Sequence, residues 1–154
     1  MDRVVAVSLG SNLGDRRAHL DFAVSRLQSL LANLRVSRYR DTDPVGVPDA
    51  QPLFLNAASV GETAMSARDV LESLLAIERE RGRERPFPGA ARTLDLDLVL
   101  FGDLVTSEPD LIVPHPRFRE RLFVLEPLAE IAPELVDPVT GLTVGELLAR
   151  AGRG

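Results

Sequence analysis

The chain has 154 residues, 45% hydrophobic and 27% charged, with a formal net charge of −5 and no Cys or Trp; Lys is also absent, so all 18 basic side chains are Arg. These absences exclude a thiol nucleophile, a disulfide, a Cys-based zinc site, a lysine Schiff base and a P-loop, whose phosphate-binding Lys has no candidate. The acidic balance, with six Phe and Tyr39 as the only aromatics, argues against a general nucleic-acid binder; apolar runs too short to span a membrane and an opening without a signal-peptide pattern lead to the expectation of one soluble, cytoplasmic, monomeric domain over 1–154.

Val4 to Leu9 is an apolar run that reads as a buried strand, with a turn after it at Gly10-Ser11-Asn12-Leu13-Gly14. From Asp15, apolar residues at Leu20, Ala23, Leu27, Leu30 or Leu31 and Leu34 recur every three to four positions, the spacing of an amphipathic helix. His19 reads as an ordinary residue of that helix. Val36 to Arg40 is β-like, and Pro44, Gly46 and Pro48 break regular structure beyond it. Leu53 to Val60 returns as a strand. Ser66 with Asp69 caps a second helix through Val70, Leu71, Leu74, Leu75 and Ile77, ending near Gly82. A loop over 82–92 leads to a strand over Thr93–Phe101. Leu111–Val113 is extended, Leu122–Leu125 is another short apolar run, and Thr143 with Glu146 caps a last small helix. The order β-α-β-β-α-β with a C-terminal extension predicts an α+β, ferredoxin-like core: an antiparallel sheet with both helices on one face.

Four segments carry candidate chemistry. In Leu94-Asp95-Leu96-Asp97-Leu98-Val99-Leu100-Phe101, strand alternation places Asp95 and Asp97 on one face, with Cα atoms roughly 6.5 Å apart. Carboxylates so spaced suit hard cations, and Mg²⁺ typically takes one or two carboxylates plus substrate phosphates. The same pattern also describes a plain amphipathic strand with Leu inward and Asp in water. Alternation puts Val99 and Phe101 on the aspartates' face, which would make the pair the border of an apolar surface. Arg83 and Arg85 come after Gly82 in a loop that leads to Arg92, and Arg presents planar donors suited to phosphate oxygens; Arg79 and Arg81 read as a solvated helix end. His115 stands between Pro114 and Pro116, ahead of Arg117, Arg119 and Arg121, and is open to a structural or a functional reading. Pro44-Val45-Gly46 with Phe54-Leu55-Asn56 offers an aromatic and an amide to a flat heterocycle, or equally a turn leading into a strand with an edge Asn.

With these residues in view, the chain resembles the 6-hydroxymethyl-7,8-dihydropterin pyrophosphokinase family of folate biosynthesis. The matching segments run in order: Gly10-Ser11-Asn12-Leu13-Gly14-Asp15, Pro44-Val45-Gly46, Phe54-Leu55-Asn56-Ala57-Ala58, Glu78 with Gly82-Arg83-x-Arg85, Arg92-Thr93-Leu94-Asp95-Leu96-Asp97, Val113-Pro114-His115-Pro116-Arg117, Phe123-Val124-Leu125-Glu126-Pro127-Leu128 and Ile131-Ala132-Pro133. The resemblance implies transfer of pyrophosphate from ATP to the pterin hydroxymethyl group, releasing AMP. It implies that Asp95 and Asp97 hold two Mg²⁺ ions, that Arg83, Arg85, Arg92, His115 and Arg121 contact the ATP phosphates, and that Glu78 lies on the nucleotide side with the backbone near Leu98 reading adenine. Thr42, Pro44, Val45, Phe54, Asn56 and Phe123 form the implied pterin pocket, with Phe54 where family members often have Tyr. Arg83, Arg92, Asp95 and Asp97 are the implied catalytic set. The chain departs from the family at Pro86-Phe87-Pro88-Gly89-Ala90-Ala91, where an aromatic-Gly-Pro usually precedes the arginine. Two rival readings of the topology are a regulatory small-ligand module, which needs neither the Asp pair nor the loop arginines, and an RNA-binding domain, which the acidic charge disfavours.

Overall fold

The computed structural model describes residues 2–42, 54–82 and 93–152. The first strand, β1 (Arg3–Ser11), runs two residues beyond the apolar stretch, because Gly10 and Ser11 keep pairing with their neighbours. Then come α1 (Arg16–Leu30), β2 (Ala32–Val36), β3 (Arg40–Thr42), β4 (Phe54–Thr63), α2 (Ala67–Glu80) and β5 (Asp95–Phe101). A hairpin of β6 (Thr106–Glu108) and β7 (Leu111–Val113), a 3-10 turn at Phe118–Glu120, α3 (Leu122–Ile131) and α4 (Val144–Ala151) complete the described chain. The caps form where the sequence places them. Asp15 accepts from the Ala18 amide, Ser66 accepts from the Asp69 amide, and Thr143 and Glu146 close a reciprocal capping box.

The main sheet has the order β2-β4-β1-β5, with β3 also pairing to β4 and every pairing antiparallel. This is the expected ferredoxin-like arrangement. One face carries Val5, Val7, Leu9, Leu55, Ala57, Leu96 and Leu98 and packs on Leu20, Ala23 and Leu27 of α1 and Val70, Leu74 and Ile77 of α2. The other face carries Ala6, Ala58, Val60, Val99 and Leu100 and is covered by Val124, Leu125 and Leu128 of α3 and Val144 and Leu147 of α4. The C-terminal extension is therefore the second cover of the sheet, burying apolar area that would otherwise face water. Leu122–Leu125 is the first turn of α3. Pro127 lies inside this helix and has no N–H to give to the Phe123 carbonyl one turn earlier.

The expectation for Phe101 is corrected. The β1–β5 register slips between Ala6 and Val7: Val7 faces Leu98, but Ala6 faces Leu100. Such a bulge inserts one residue and resets the alternation. Val99 and Leu100 both join the core under α3 and α4, while Phe101 turns to the helices α1 and α2. Val99 and Leu100, rather than Val99 and Phe101, continue the aspartates' face.

Asp137 anchors the entry to α4 and is fully buried. It takes both an Nε and an Nη2 hydrogen bond from Arg119, at 2.5 and 3.0 Å, one from the Thr140 hydroxyl at 2.8 Å and one from the Val139 amide at 3.0 Å. Burial alone would raise its pKa; these donors outweigh burial and hold it below the ordinary carboxylate value. Its unfolded state thus binds the proton more readily, so its stabilisation is present above about pH 4 and fades as pH falls through the lower folded value. Asp137→Ala leaves Arg119 without its carboxylate and is expected to cost about 3 kcal/mol, read by urea unfolding at pH 7. The difference between wild type and Asp137→Asn should shrink below about pH 4; a difference independent of pH would refute the ionic account.

Candidate active site

The antiparallel register builds the site as two rows across one sheet face. Gly10 pairs with Asn56 on one side and with Asp95 on the other, and Asn56 in turn pairs with Arg40. The next row runs Ala58, Ser8, Asp97. Directly paired residues share a face, so Arg40, Asn56, Gly10 and Asp95 point the same way, as do Ser8 and Asp97. Thr42 and Phe54 pair one step further along that face. These polar positions begin where the apolar cover of Ala6, Ala58, Val60 and Val99 stops. With strands about 4.8 Å apart, Asn56 and Asp95 stand roughly 10 Å from each other.

Gly10 keeps the middle of this floor open. A Cβ there would come within 3.1 Å of Asn56 Oδ1 and 3.8 Å of Phe54 Cδ1. Asn56 is 4% exposed and its Nδ2 donates to Thr42 Oγ1, which assigns the amide orientation and leaves Oδ1 on the Gly10 side. Arg40 donates through Nη2 to Glu130 of α3 at 2.8 Å, and its Nη1 is buried with no hydrogen-bond partner. Phe123 sits on the first turn of α3, the helix that packs over β4, and the Arg121 guanidinium lies 5.5 Å from its ring centroid, within cation–π range.

At the other end of the row, Asp95 and Asp97 are half-buried. The strand between them is fixed from the opposite face: Glu78, only 2% exposed, accepts a 2.7 Å hydrogen bond from the Leu96 amide. Glu78 therefore ties α2 to β5 behind the aspartates. Leu98 lies two residues on, buried against the helices, in the edge strand of the sheet. The outer edge of that strand is used by His115, whose amide donates to the Val99 carbonyl at 3.0 Å. The prolines around His115 do more than extend the chain, since the Val113–Pro114 bond is cis.

His115 feels both ends of the site. Burial lowers its pKa below the ordinary value, Arg121 and Arg117 lower it further, and Asp95 opposes them. Its Nδ1 accepts from the Arg117 amide at 3.1 Å. The neutral ring thus carries its proton on Nε2, a donor available to an anionic oxygen.

Thr42, Phe54, Asn56, Asp95, Asp97, His115, Arg121 and Phe123 are thus brought to one sheet face and its border, with Glu78 and Leu98 on the reverse side. Pro44, Val45, Arg83, Arg85, Phe87 and Arg92 lie outside the described residues. Sequence reading treats Gly10 as a turn residue and passes over Ser8 and Arg40; only the pairing partners of β1 and β4 reveal them. Asp95 and Asp97 offer oxygen donors alone, the donor type that Mg²⁺ prefers, and a pair suffices when substrate phosphates complete the shell. Among the described residues no group of three or more His, Cys, Asp or Glu gathers as a metal site.

The chain is similar to known proteins over most of its length. Residues 6–133 match the family described as 7,8-dihydro-6-hydroxymethylpterin-pyrophosphokinase (HPPK). The chain is 42% identical over 142 residues to the 2-amino-4-hydroxy-6-hydroxymethyldihydropteridine pyrophosphokinase of Bacillus subtilis, covering 91% of this chain and 84% of that protein. It is 42% identical over 147 residues to the Pseudomonas aeruginosa protein of the same name, covering 94% and 90%. Among solved structures, Plasmodium falciparum HPPK-DHPS with pteroate superposes with a TM-score of 0.77 at 14% identity, over 97% of this chain and 42% of that one. That likeness speaks for the fold, and the chain spans less than half of that longer protein. On the family match and the two bacterial relatives, the chain belongs to the 7,8-dihydro-6-hydroxymethylpterin pyrophosphokinase family.

Proposed function

We propose that the chain transfers pyrophosphate from ATP to the hydroxymethyl group of 6-hydroxymethyl-7,8-dihydropterin, releasing AMP, a step of folate biosynthesis carried out on the polar end of the sheet. The observation that carries this reading is the row Asn56–Gly10–Asp95: an amide suited to a heterocycle at one end, a carboxylate pair at the other, and a bare floor between. Thr42, Pro44, Val45, Phe54, Asn56 and Phe123 take the pterin. Asp95 and Asp97 hold two Mg²⁺ ions with ATP. Arg83, Arg85, Arg92, His115 and Arg121 take the phosphates, and Glu78 and Leu98 lie on the nucleotide side.

In the reaction the substrate hydroxyl oxygen bonds to the β-phosphorus, the bond from that phosphorus to the α,β-bridging oxygen breaks, AMP leaves with the electron pair, and the hydroxyl proton is released to water. Bound with ATP, Mg²⁺ neutralises phosphate charge and favours alignment of attacking and leaving oxygens. Positioning and charge stabilisation are the main contributions a protein makes to such a transfer. Asn56 and Thr42 orient the ring, the bare Gly10 lets it lie against the sheet, and His115 offers its Nε2 proton to a phosphate oxygen. Arg121, stacked on Phe123, stands between the two substrates.

The test is an AMP-release assay with ATP, Mg²⁺ and the hydroxymethyl dihydropterin. AMP formation that requires both pterin and Mg²⁺ is expected; release of ADP, or AMP formation without the pterin, sinks the reading. Arg92→Ala is expected to lower kcat by about 10²-fold, the order of losing one preorganised electrostatic contact. An effect confined to KM would mean that Arg92 binds ground and transition states alike.

A further inference from the structure

His19, an ordinary helix residue by sequence, stands at the junction of two segments that flank the site. Arg81 ends α2: its amide bonds to the Ile77 carbonyl, and Gly82 comes next at φ +83°. The Arg81 Nε donates to His19 Nδ1 at 2.8 Å, and its guanidinium lies 5.0 Å from the Phe22 ring centroid. Arg26 stands at 5.0 Å from the same ring and pairs with Glu80 at 2.8 Å. His19, Phe22 and Arg26 occupy one stripe of α1 at helical spacing, so this stripe grips the last turn of α2. The far side of the imidazole faces the turn after β1, where a Cβ on Gly14 would come within 3.4 Å of Nε2. Because Nδ1 accepts from Arg81, the neutral ring carries its proton on Nε2, toward that turn.

We propose that His19 is a positioning residue for nucleotide binding, fixing the end of α2 against the turn just beyond the Gly10 floor. Arg83 comes two residues after Arg81 in the sequence, so His19 holds the described end of α2, from which the chain continues to the arginines proposed for the phosphates. The inference rests on the assignment of Arg83 and Arg85 to the ATP phosphates. It also carries a pH dependence. Burial and Arg81 lower the His19 pKa, while Asp15 and the Leu13 backbone raise it; Arg26 and Glu80, on the far side of Phe22, are paired with each other. The net lowering keeps the ring neutral at neutral pH. As pH falls from about 6.5 through the lowered value, Nδ1 gains a proton, stops accepting, and sets a cation against Arg81.

Steady-state kinetics of the pyrophosphoryl transfer from pH 8 to 5 test this. At pH 8, His19→Leu is expected to raise KM for ATP about tenfold, the order of one charge-assisted hydrogen bond, with kcat and the KM for pterin within about twofold. His19→Gln, whose amide oxygen accepts from Arg81 and whose N–H faces the turn, should restore the ATP KM. It should also remove the part of the acid-side rise in KM that wild type shows. The proposal is overturned if His19→Leu keeps a wild-type KM for ATP, if it raises both KM values together with a fall in Tm, or if His19→Gln tracks the wild-type pH profile. Arg83→Ala and Arg85→Ala separate the two levels. If they raise the ATP KM and His19→Leu does not, only the role of His19 fails; if they leave it unchanged, the phosphate assignment fails and the role of His19 with it.

Discussion

Asp97→Ala should fold normally and lose turnover by about 10³-fold or more, and Asp95→Ala should do the same. The two side chains leave one face of β5 half-buried, paired across the sheet to Ser8 and Gly10. Neither belongs to an apolar core cluster, so truncation creates no cavity of the kind that makes core variants unfold. What truncation removes is oxygen donors for a divalent cation at the end of the row opposite Asn56. On the proposed assignment, losing one of the two carboxylates would cost Mg²⁺-ATP an anchor and the alignment of the β-phosphorus with the pterin hydroxyl. Asp→Asn variants sharpen the point. The amide keeps the shape and one oxygen while dropping the charge, so a similar loss in Asp97→Asn assigns the effect to charge rather than to packing. Chelation of divalent ions should silence the wild-type enzyme, and added Mg²⁺ should restore it. Near wild-type, Mg²⁺-dependent AMP release by either folded alanine variant would remove the metal assignment.

Properties set by local periodicity are legible in the sequence. The strand β5, the shared face of Asp95 and Asp97, the helix caps at Ser66 and Thr143, and the apolar stripes of α1 through Leu27 and of α2 come from spacing and side-chain chemistry, whereas Leu34, which spacing puts on the first helix, lies in β2. Properties set by pairing are not. Alternation alone puts Phe101 on the wrong face because a bulge depends on how β5 meets β1, and that slip between Ala6 and Val7 leaves no mark in either strand alone. Gly10 looks like a turn because Gly at the end of an apolar run usually is one; here its lack of a side chain clears the floor between Asn56 and Asp95. Leu122–Leu125 is too short to show a helical period, and its helix forms against the sheet through Val124, Leu125 and Leu128. His19 lies on a helix whose sequence gives no hint that Arg81, 62 residues away, will reach it. The order of the family motifs along the chain points to the chemistry, but the row that joins Asn56 to Asp95 is a register, and register is read only from paired strands.

Asn56→Ala is expected to weaken pterin binding by about 10²-fold while leaving Mg²⁺-ATP affinity within about twofold. Among the described side chains proposed for the pterin, Asn56 is the most enclosed, at 4% exposed. Its Nδ2 is committed to Thr42, which leaves Oδ1, on the Gly10 side, as an acceptor for ring N–H groups. A flat heterocycle seated there meets few water molecules. Its donors then either find this oxygen or remain unpaired, at about 1–3 kcal/mol for each buried group left without a partner. The proposed metal-ATP ligands Asp95 and Asp97 stand two strands away across β1, so the truncation does not touch them. Asn56→Asp discriminates further. It keeps the acceptor oxygens but has no N–H for Thr42, and its charge must be desolvated by the entering ring. An affinity for Asn56→Asp near that of wild type would mean that the acceptor alone recognises the pterin and that the Thr42 contact is dispensable. Calorimetry with each ligand separately reads the result: equal losses for pterin and Mg²⁺-ATP would show that Asn56 holds the sheet together rather than the substrate, and would move the pterin pocket elsewhere on the molecule.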